Sequence, residues 1–276
     1  MTKKNQTIVF KILLVAIAIY ASLYLFQERF IFHPQPITKT NLDHIEKQFP
    51  DIERITLNTY DGVKINGWLL KDKVHDTPIP AIIYFGGNAE EVSWMLEKKE
   101  SFKDRALILF NYRGYGESDG KPSEKHLFDD SLLIYDYLTT RGEINSNEIA
   151  VMGRSLGTGV AVFLASQRQV SRIILVSPFD SITAVAQRRI PFAPIGLLLK
   201  HKFESVERAP EIKIPLLAFI ADDDTTVPPS HTLKLLDSWG GDHDVIVVTS
   251  ADHNSILDRD ELWKASEDFL RLTSSK

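Results

Sequence analysis

The chain contains no cysteine. That excludes disulfides, a thiolate nucleophile and cysteine-ligated zinc, although it fixes no compartment. It has no excess of positive charge either: a net charge of -5 leaves no basic footprint for nucleic acid. No H-E-x-x-H pair is present, so no two histidines stand at that metal-binding spacing. Gly114 and Gly116 lack the rest of a phosphate-binding or dinucleotide loop. Internal repeats and low-complexity tracts are missing too. These absences predict no metal, no cofactor and no nucleic-acid partner. What is present is ordinary: 276 residues, 43% hydrophobic and 25% charged, enough for one full α/β core.

One stretch is of a different material. Ile8 to Phe26 is apolar except for Lys11, Ser22, Tyr20 and Tyr24. A bilayer span needs about 20 such residues, and Lys11 near one end can snorkel to the interface. The two tyrosines suit the opposite boundary. Lys3, Lys4 and Lys11 precede the core of the span, whereas Arg29 just after it is balanced by Glu28. By the positive-inside rule the N-terminus is cytoplasmic and the remainder lies on the exported side of a single-pass anchor. A cleaved signal peptide is the rival reading, because Ala16-Ile17-Ala18 resembles a cleavage site, but it sits inside the apolar run. A helix lying flat on the surface needs a polar face, which this run lacks. The division expected is a tip and transmembrane anchor over 1–27, a linker over 28–50, and a catalytic domain over 51–276. Within the linker, Phe30-Ile31-Phe32-His33-Pro34 is apolar enough to pack on the domain or dip into headgroups.

From residue 50 onward, strand and helix signals alternate. Arg54 to Leu57 and Lys64 to Leu70 read as a hairpin around Asp61-Gly62. Ala81 to Phe85 and Ala106 to Asn111 read as buried strands with a helix between them. Ser123 to Thr140 reads as a helix capped by Ser123. Ile149 to Met152, Ile173 to Val176, Pro215 to Ile220 and Val245 to Val248 are further strands. The order predicts a mostly parallel sheet with an antiparallel start.

Directly after the Ile149 strand stands Gly153-Arg154-Ser155-Leu156-Gly157, a G-x-S-x-G pentapeptide. A serine hydroxyl is a poor nucleophile unless it is held in the open beside a base. A tight strand-to-helix turn does this if the residues two before and two after are small. The following helix aims its free N–H groups at the reacting centre, so the Leu156 amide is a candidate oxyanion donor. The competing reading is a small-residue turn without chemistry. Arg154 reads as pointing away, in a local salt bridge, rather than toward an anionic substrate.

A serine on such an elbow takes its partners in the order Ser, Asp or Glu, His. The Pro215 strand ends in Asp222-Asp223-Asp224, and the Val245 strand is followed by Asp252-His253-Asn254. Of the eight histidines, His253 alone follows both serine and acid in a loop after a strand. Asp224 is the candidate acid, because Val227-Pro228 ends its loop and begins the next helix. Asp222 as a turn former and Asp223 as a solvated neighbour are the expected roles of the other two, but either remains an alternative acid.

Between the Ile173 and Pro215 strands lies an insertion, at about 179–210. Its run Ile190-Pro191-Phe192-Ala193-Pro194-Ile195-Gly196-Leu197-Leu198-Leu199 suits a small lid. Phe192 and Leu198 are then candidate contacts for an acyl chain. The plainer alternative is a helix that packs on the core and nothing more.

At this point the residues carry a resemblance. Ile82 to Ala89, Asn111 to Glu124, Gly153 to Gly157, Ser177-Pro178-Phe179, Asp224 to Pro229 and His253-Asn254 resemble α/β-hydrolases of the Bem46 type, a group of membrane-anchored serine hydrolases with bacterial relatives. The Asn111 to Glu124 block is the most group-specific. The resemblance implies a mostly parallel central sheet flanked by helices, a small lid and an N-terminal transmembrane helix. It assigns Ser155, Asp224 and His253 as nucleophile, acid and base, with the Asn88 amide as oxyanion donor and Leu156 the second. One departure is Gly86, where relatives carry histidine. The donor in this loop is a backbone N–H, so the departure leaves it in place, but the added glycine predicts a less ordered loop. Together, residues and resemblance predict a membrane-anchored serine hydrolase acting on a small acyl ester or thioester. The alternatives are a serine peptidase of the prolyl-oligopeptidase-like clan and a non-catalytic tethered scaffold.

Overall fold

A computed structural model of the chain describes residues 3–71 and 77–271. The first two residues of the expected tip, and 72–76 and 272–276 of the expected domain, lie outside the described residues. Three helices come first: α1 (Lys3–Phe26), α2 (Glu28–Ile31) and α3 (Lys39–Gln48). The antiparallel hairpin follows, β1 (Glu53–Asn58) and β2 (Lys64–Leu70), turning at Gly62 with φ 79°. Then come β3 (Ile79–Phe85), β4 (Ala106–Phe110), α4 (Glu124–Thr139), β5 (Ile144–Arg154), α5 (Leu156–Gln167) and β6 (Ile173–Val176). The insertion carries α6 (Ile182–Arg189), α7 (Ile195–Leu198) and α8 (Ser205–Arg208). The chain closes with β7 (Leu216–Ala221), α9 (Pro229–Leu236), β8 (His243–Val248) and α10 (Asp260–Arg271).

The eight strands form one sheet in the order β1-β2-β4-β3-β5-β6-β7-β8. β2 runs antiparallel to β1 and to β4, and every pairing from β4 to β8 is parallel. This is the expected parallel sheet with an antiparallel start. The strand cores are continuous apolar runs because helices cover both faces. In β3, Ala81, Ile83 and Phe85 enter one core cluster, while Ile82 and Tyr84 enter the other. In β7, Leu216 and Ala218 face one side and Leu217, Phe219 and Ala221 face the other.

One detail differs from the expectation. The segment between β3 and β4 is wound as tight 3₁₀ turns over Val92–Phe102 rather than as an α-helix. Val92 and Met95 are three residues apart, so threefold winding sets both on the buried side. The stretch 28–50 packs on the domain, one of the two placements expected for its apolar run. Phe32 joins one core cluster, and Ile45 and Phe49 join the other.

α1 meets the rest of the chain only near its end, and no described residue of its 18-residue apolar window is fully buried. Its 24 residues extend about 36 Å at 1.5 Å per residue, longer than a hydrocarbon core of about 30 Å.

Candidate active site

β5 ends at Arg154 and α5 begins at Leu156, so Ser155 makes the turn between them. Its φ of 48° and ψ of -117° are strained for a residue with a side chain. Close packing holds the strain. A Cβ on Gly157 would lie 2.0 Å from the Phe85 carbonyl oxygen, and one on Gly153 would lie 2.5 Å from the Gly157 carbonyl oxygen. Any side chain at either position would force β3, β5 and α5 apart. This is the physical content of the two outer glycines of the pentapeptide.

The turn delivers Ser155 to His253, with Oγ 2.8 Å from Nε2. The other ring nitrogen, Nδ1, is 2.7 Å from Asp224 Oδ2. Asp224 is buried just past β7, and its second oxygen accepts the backbone N–H groups of Thr226 and Val227, each at 2.8 Å. Burial alone would push this carboxyl up. The hydrogen bonds from His253 and Val227 outweigh it and hold the group below its ordinary carboxylate value. An ionised Asp224 in this position fixes Nδ1 as the protonated nitrogen and leaves Nε2 free to accept from Ser155. Asp222 and Asp223 are exposed and do neither. Asp222 Oδ1 accepts the Ala251 N–H at 3.2 Å, and the Asp223 N–H donates to the Ala251 carbonyl at 3.0 Å. They clamp the loop that carries His253.

A second network escaped the sequence reading. The buried Glu90 carboxylate accepts from Tyr84 Oη at 2.6 Å, Trp94 Nε1 at 2.8 Å and the Gly87 N–H at 2.7 Å. Arg154 Nη1 adds a fourth bond at 2.9 Å, and Arg154 Nη2 continues to the His253 carbonyl at 3.2 Å and Asn254 Oδ1 at 2.7 Å. Thus Glu90 and Arg154 tie together the Gly86–Asn88 loop, the serine turn and the histidine loop. The loop expected to be loose is instead held on both sides, since Tyr112 Oη also donates to the Gly86 carbonyl at 2.9 Å. A Cβ on Gly86 would meet Val92 Cγ1 at 2.8 Å, so the residue there is small for a packing reason. Tyr84, Gly87 and Trp94 lie within six residues of Glu90, but Arg154 is 64 residues away, and that long-range bond is what ties the network to the serine turn.

Asn88 and Leu156 both line the cavity above Ser155. The Asn88 side chain is engaged by the linker: Oδ1 accepts the His33 N–H at 2.8 Å, and Nδ2 stands 2.9 Å from His33 Nδ1. Leu156 occupies the first position of α5, where a backbone N–H has no acceptor within the helix. The cavity itself is about 570 Å³, within the range of small-molecule sites. The insertion contributes an apolar wall that includes Val185, Ile195 and Leu198. Phe192 is not part of it. The turn in which the Ala193 N–H donates to Ile190 throws Phe192 to the outside, where it is 94% exposed. Its expected contact with an acyl chain is therefore corrected. An unexpected part of the wall comes from the end of α1 and from α2.

No family model matches the chain. Among curated proteins it is 29% identical to the α/β-hydrolase domain-containing protein WAV2 of Arabidopsis thaliana, over 80% of this chain and 78% of that one. It is 28% identical to the protein bem46 of Schizosaccharomyces pombe, over 79% and 76%. It is 26% identical to the uncharacterized membrane protein YNL320W of Saccharomyces cerevisiae, over 91% and 90%. Solved structures of the same fold include an esterase of Pyrococcus furiosus, Pf2001, at TM-score 0.68 and 20% identity over 87% of this chain and 98% of that one. An acetyl xylan esterase of a Paenibacillus species superposes at TM-score 0.64 and 19% identity, over 89% and 98%. The fold is that of the α/β-hydrolases, and the resemblance to the Bem46 type is borne out.

Proposed function

We propose that the protein is a membrane-anchored serine hydrolase that cleaves acyl esters or thioesters through an acyl-enzyme on Ser155. The observation that carries this reading is the hydrogen-bonded series from Asp224 to His253 to Ser155 at 2.7 and 2.8 Å. In the proposed reaction, Ser155 Oγ bonds to the acyl carbon while its proton passes to His253 Nε2. The carbonyl oxygen becomes an oxyanion held by the Asn88 and Leu156 amides. Collapse breaks the bond to the leaving alcohol or thiol, which takes the proton from His253. Water then attacks the acyl-enzyme, with His253 as base, and releases the acid. Every proton is handled by His253, and Asp224 stabilises the imidazolium that forms. The mostly apolar wall of the cavity favours an acyl group over a peptide. The two structural neighbours named esterases agree with this class of substrate.

The proposal includes the arrangement along the chain: anchor over 1–27, linker over 28–50 and hydrolase domain over 51–276 with a lid at about 179–210. It also includes an N-terminus in the cytoplasm and the hydrolase domain on the exported side. The lysines before the span support the orientation, and the yeast relative named a membrane protein supports the anchor.

The test is labelling by a fluorophosphonate probe alongside acetate-ester hydrolysis. The parent chain labels and turns over, and Ser155→Ala loses both while keeping its melting temperature. Undiminished labelling of the variant sinks the reading. A reporter fused after Lys276 tests the orientation, and a cytoplasmic signal from it contradicts the assignment.

A further inference from the structure

We infer that the acyl ester taken by this site is carried in the bilayer, and that it enters the cavity along the end of the chain's own membrane helix rather than from water. The inference rests on the hydrolase reading above and names its substrate class: a lipid ester whose acyl chain remains in the membrane until it reaches Ser155.

The first observation is the make-up of the cavity. Leu23 near the end of α1, Gln27 between the two helices, and Phe30 and Ile31 in α2 line the same space as Ser155 and His253. A site filled from solution has no use for a wall made of its membrane anchor. Leu23 lies in the last turn of a helix long enough to span a bilayer, which sets the mouth of the cavity at the hydrocarbon boundary.

The second observation is that the joint is built. Gln27 is buried, and its amide bonds to the insertion at both ends. Nε2 donates to the Leu198 carbonyl at 3.0 Å, and Oε1 accepts the Lys200 N–H at 2.7 Å. Lys200 Nζ also sits 4.3 Å from the centre of the Tyr24 ring. Just beyond α2, Phe32 packs edge-on against His201 at 5.1 Å. The end of the anchor is therefore fixed to the insertion that forms the opposite wall.

The third observation is the surface around this joint. Phe192 is 94% exposed, Leu197 86% and Phe30 67%, next to an α1 whose Leu25 is 65% exposed. α7, which carries Leu197, contacts α1, so exposed apolar side chains of the insertion and of the anchor stand on neighbouring elements. A patch of this kind marks a contact surface, and its continuity with the exposed span identifies the bilayer as the occupant. Arg189 at the cavity rim and Lys200 beside Tyr24 supply cations for the headgroup level.

The full chain, reconstituted in phosphatidylcholine vesicles, is given umbelliferyl oleate in the same vesicles or in separate ones, and umbelliferyl butyrate in solution. The co-resident oleate is expected to turn over at least about tenfold faster than oleate in separate vesicles, because a shared bilayer raises its effective concentration. The double variant Phe192→Asp, Leu197→Asp changes only side chains outside the cavity. It is expected to lose at least about tenfold on the co-resident oleate, a shift of about 1.4 kcal/mol, and to keep butyrate turnover within about twofold. Equal oleate rates in the two presentations overturn the inference, as does a variant that lowers both esters alike or neither. Butyrate turnover without the vesicle advantage removes the entry route alone. Absence of butyrate turnover and of Ser155 labelling removes the hydrolase reading, and the inference falls with it.

Discussion

Asp222, Asp223 and Asp224 are adjacent and chemically alike, yet only one is turned toward the imidazole. Asp224 is buried with both oxygens engaged, while its two neighbours are exposed and hold the Ala251 backbone. Asp224→Asn is expected to lower kcat by orders of magnitude, on the scale of the roughly 10⁴ seen for the equivalent change in a serine protease, because it favours the wrong imidazole tautomer. Asp222→Asn should cost far less, since an amide oxygen can still accept the Ala251 N–H. Steady-state kinetics on a short ester checks this, and a crippled Asp222→Asn with a healthy Asp224→Asn reverses the assignment. Ser155 and His253 were readable from the sequence because strand ends and chain order single them out. The choice of Asp224 rested on the nearby proline, and the structure brings that residue to His253. Arg154 was not legible in its full role. Its partners Glu90 and Asn254 lie 64 and 100 residues away, and no local pattern records contacts at that range.

Strands buried on both faces are the elements that sequence displays best, since each is a short apolar run whose helical covering removes any need for alternation. The insertion is the opposite case. α7 is four residues long and α8 is four, too short for a helical period to declare itself. The run 190–199 therefore predicted apolar surface without saying which side chains face inward. Leu198 lines the cavity, and Phe192 does not. The block from Asn111 to Glu124 was recognisable as a motif, but its work is structural. Arg113 bonds Asp130 through Nε and Nη2 at 2.8 Å each and Asp61 through Nη1 at 2.6 Å, pinning the hairpin turn to α4. Tyr112, beside it, holds the Gly86 carbonyl. If the insertion serves as the proposed lid, each methylene of an acyl chain buried against Leu198 should add up to about 0.8 kcal/mol, or about fourfold in kcat/KM. Activity on nitrophenyl esters is expected to rise from acetate toward medium chains, and Leu198→Asn should flatten that rise while leaving acetate turnover in place. An unchanged profile with only a lower melting temperature would reduce Leu198 to a packing residue.

At the scale of the whole molecule, the N-terminal helices and the insertion meet through polar residues that no hydrophobic pattern announces: Gln27 at the end of the apolar run, and His201 in the insertion. His201 Nδ1 accepts the Glu124 N–H at 3.2 Å, which places the ring proton on Nε2, 3.7 Å from Glu28 Oε1 in α2. Burial holds the His201 pKa below its ordinary value; Glu28 opposes this, while Lys200 and His126 reinforce it. A base with a lowered folded pKa is protonated first in the unfolded chain. Its stabilising contribution is complete above the unfolded value of about 6.5 and is lost as pH falls toward the folded one. Asp224 and Asp180 follow the carboxylate rule. Burial pushes both up, but hydrogen bonds from His253 to Asp224, and from Lys234 and His231 to Asp180, bring both below the ordinary value. Their contribution is present above about pH 3.9 and lost below it. The melting temperature of the full chain is therefore expected to be level near neutrality, to fall once below about pH 6.5 and to fall again below about pH 4, by roughly 2–4 °C for each kcal/mol lost. His201→Gln retains an acceptor for the Glu124 N–H but cannot titrate, so it should remove the first step and spare the second. Melting curves across this range decide the matter. A first step that survives unchanged in His201→Gln assigns the loss to another group and uncouples the anchor joint from pH.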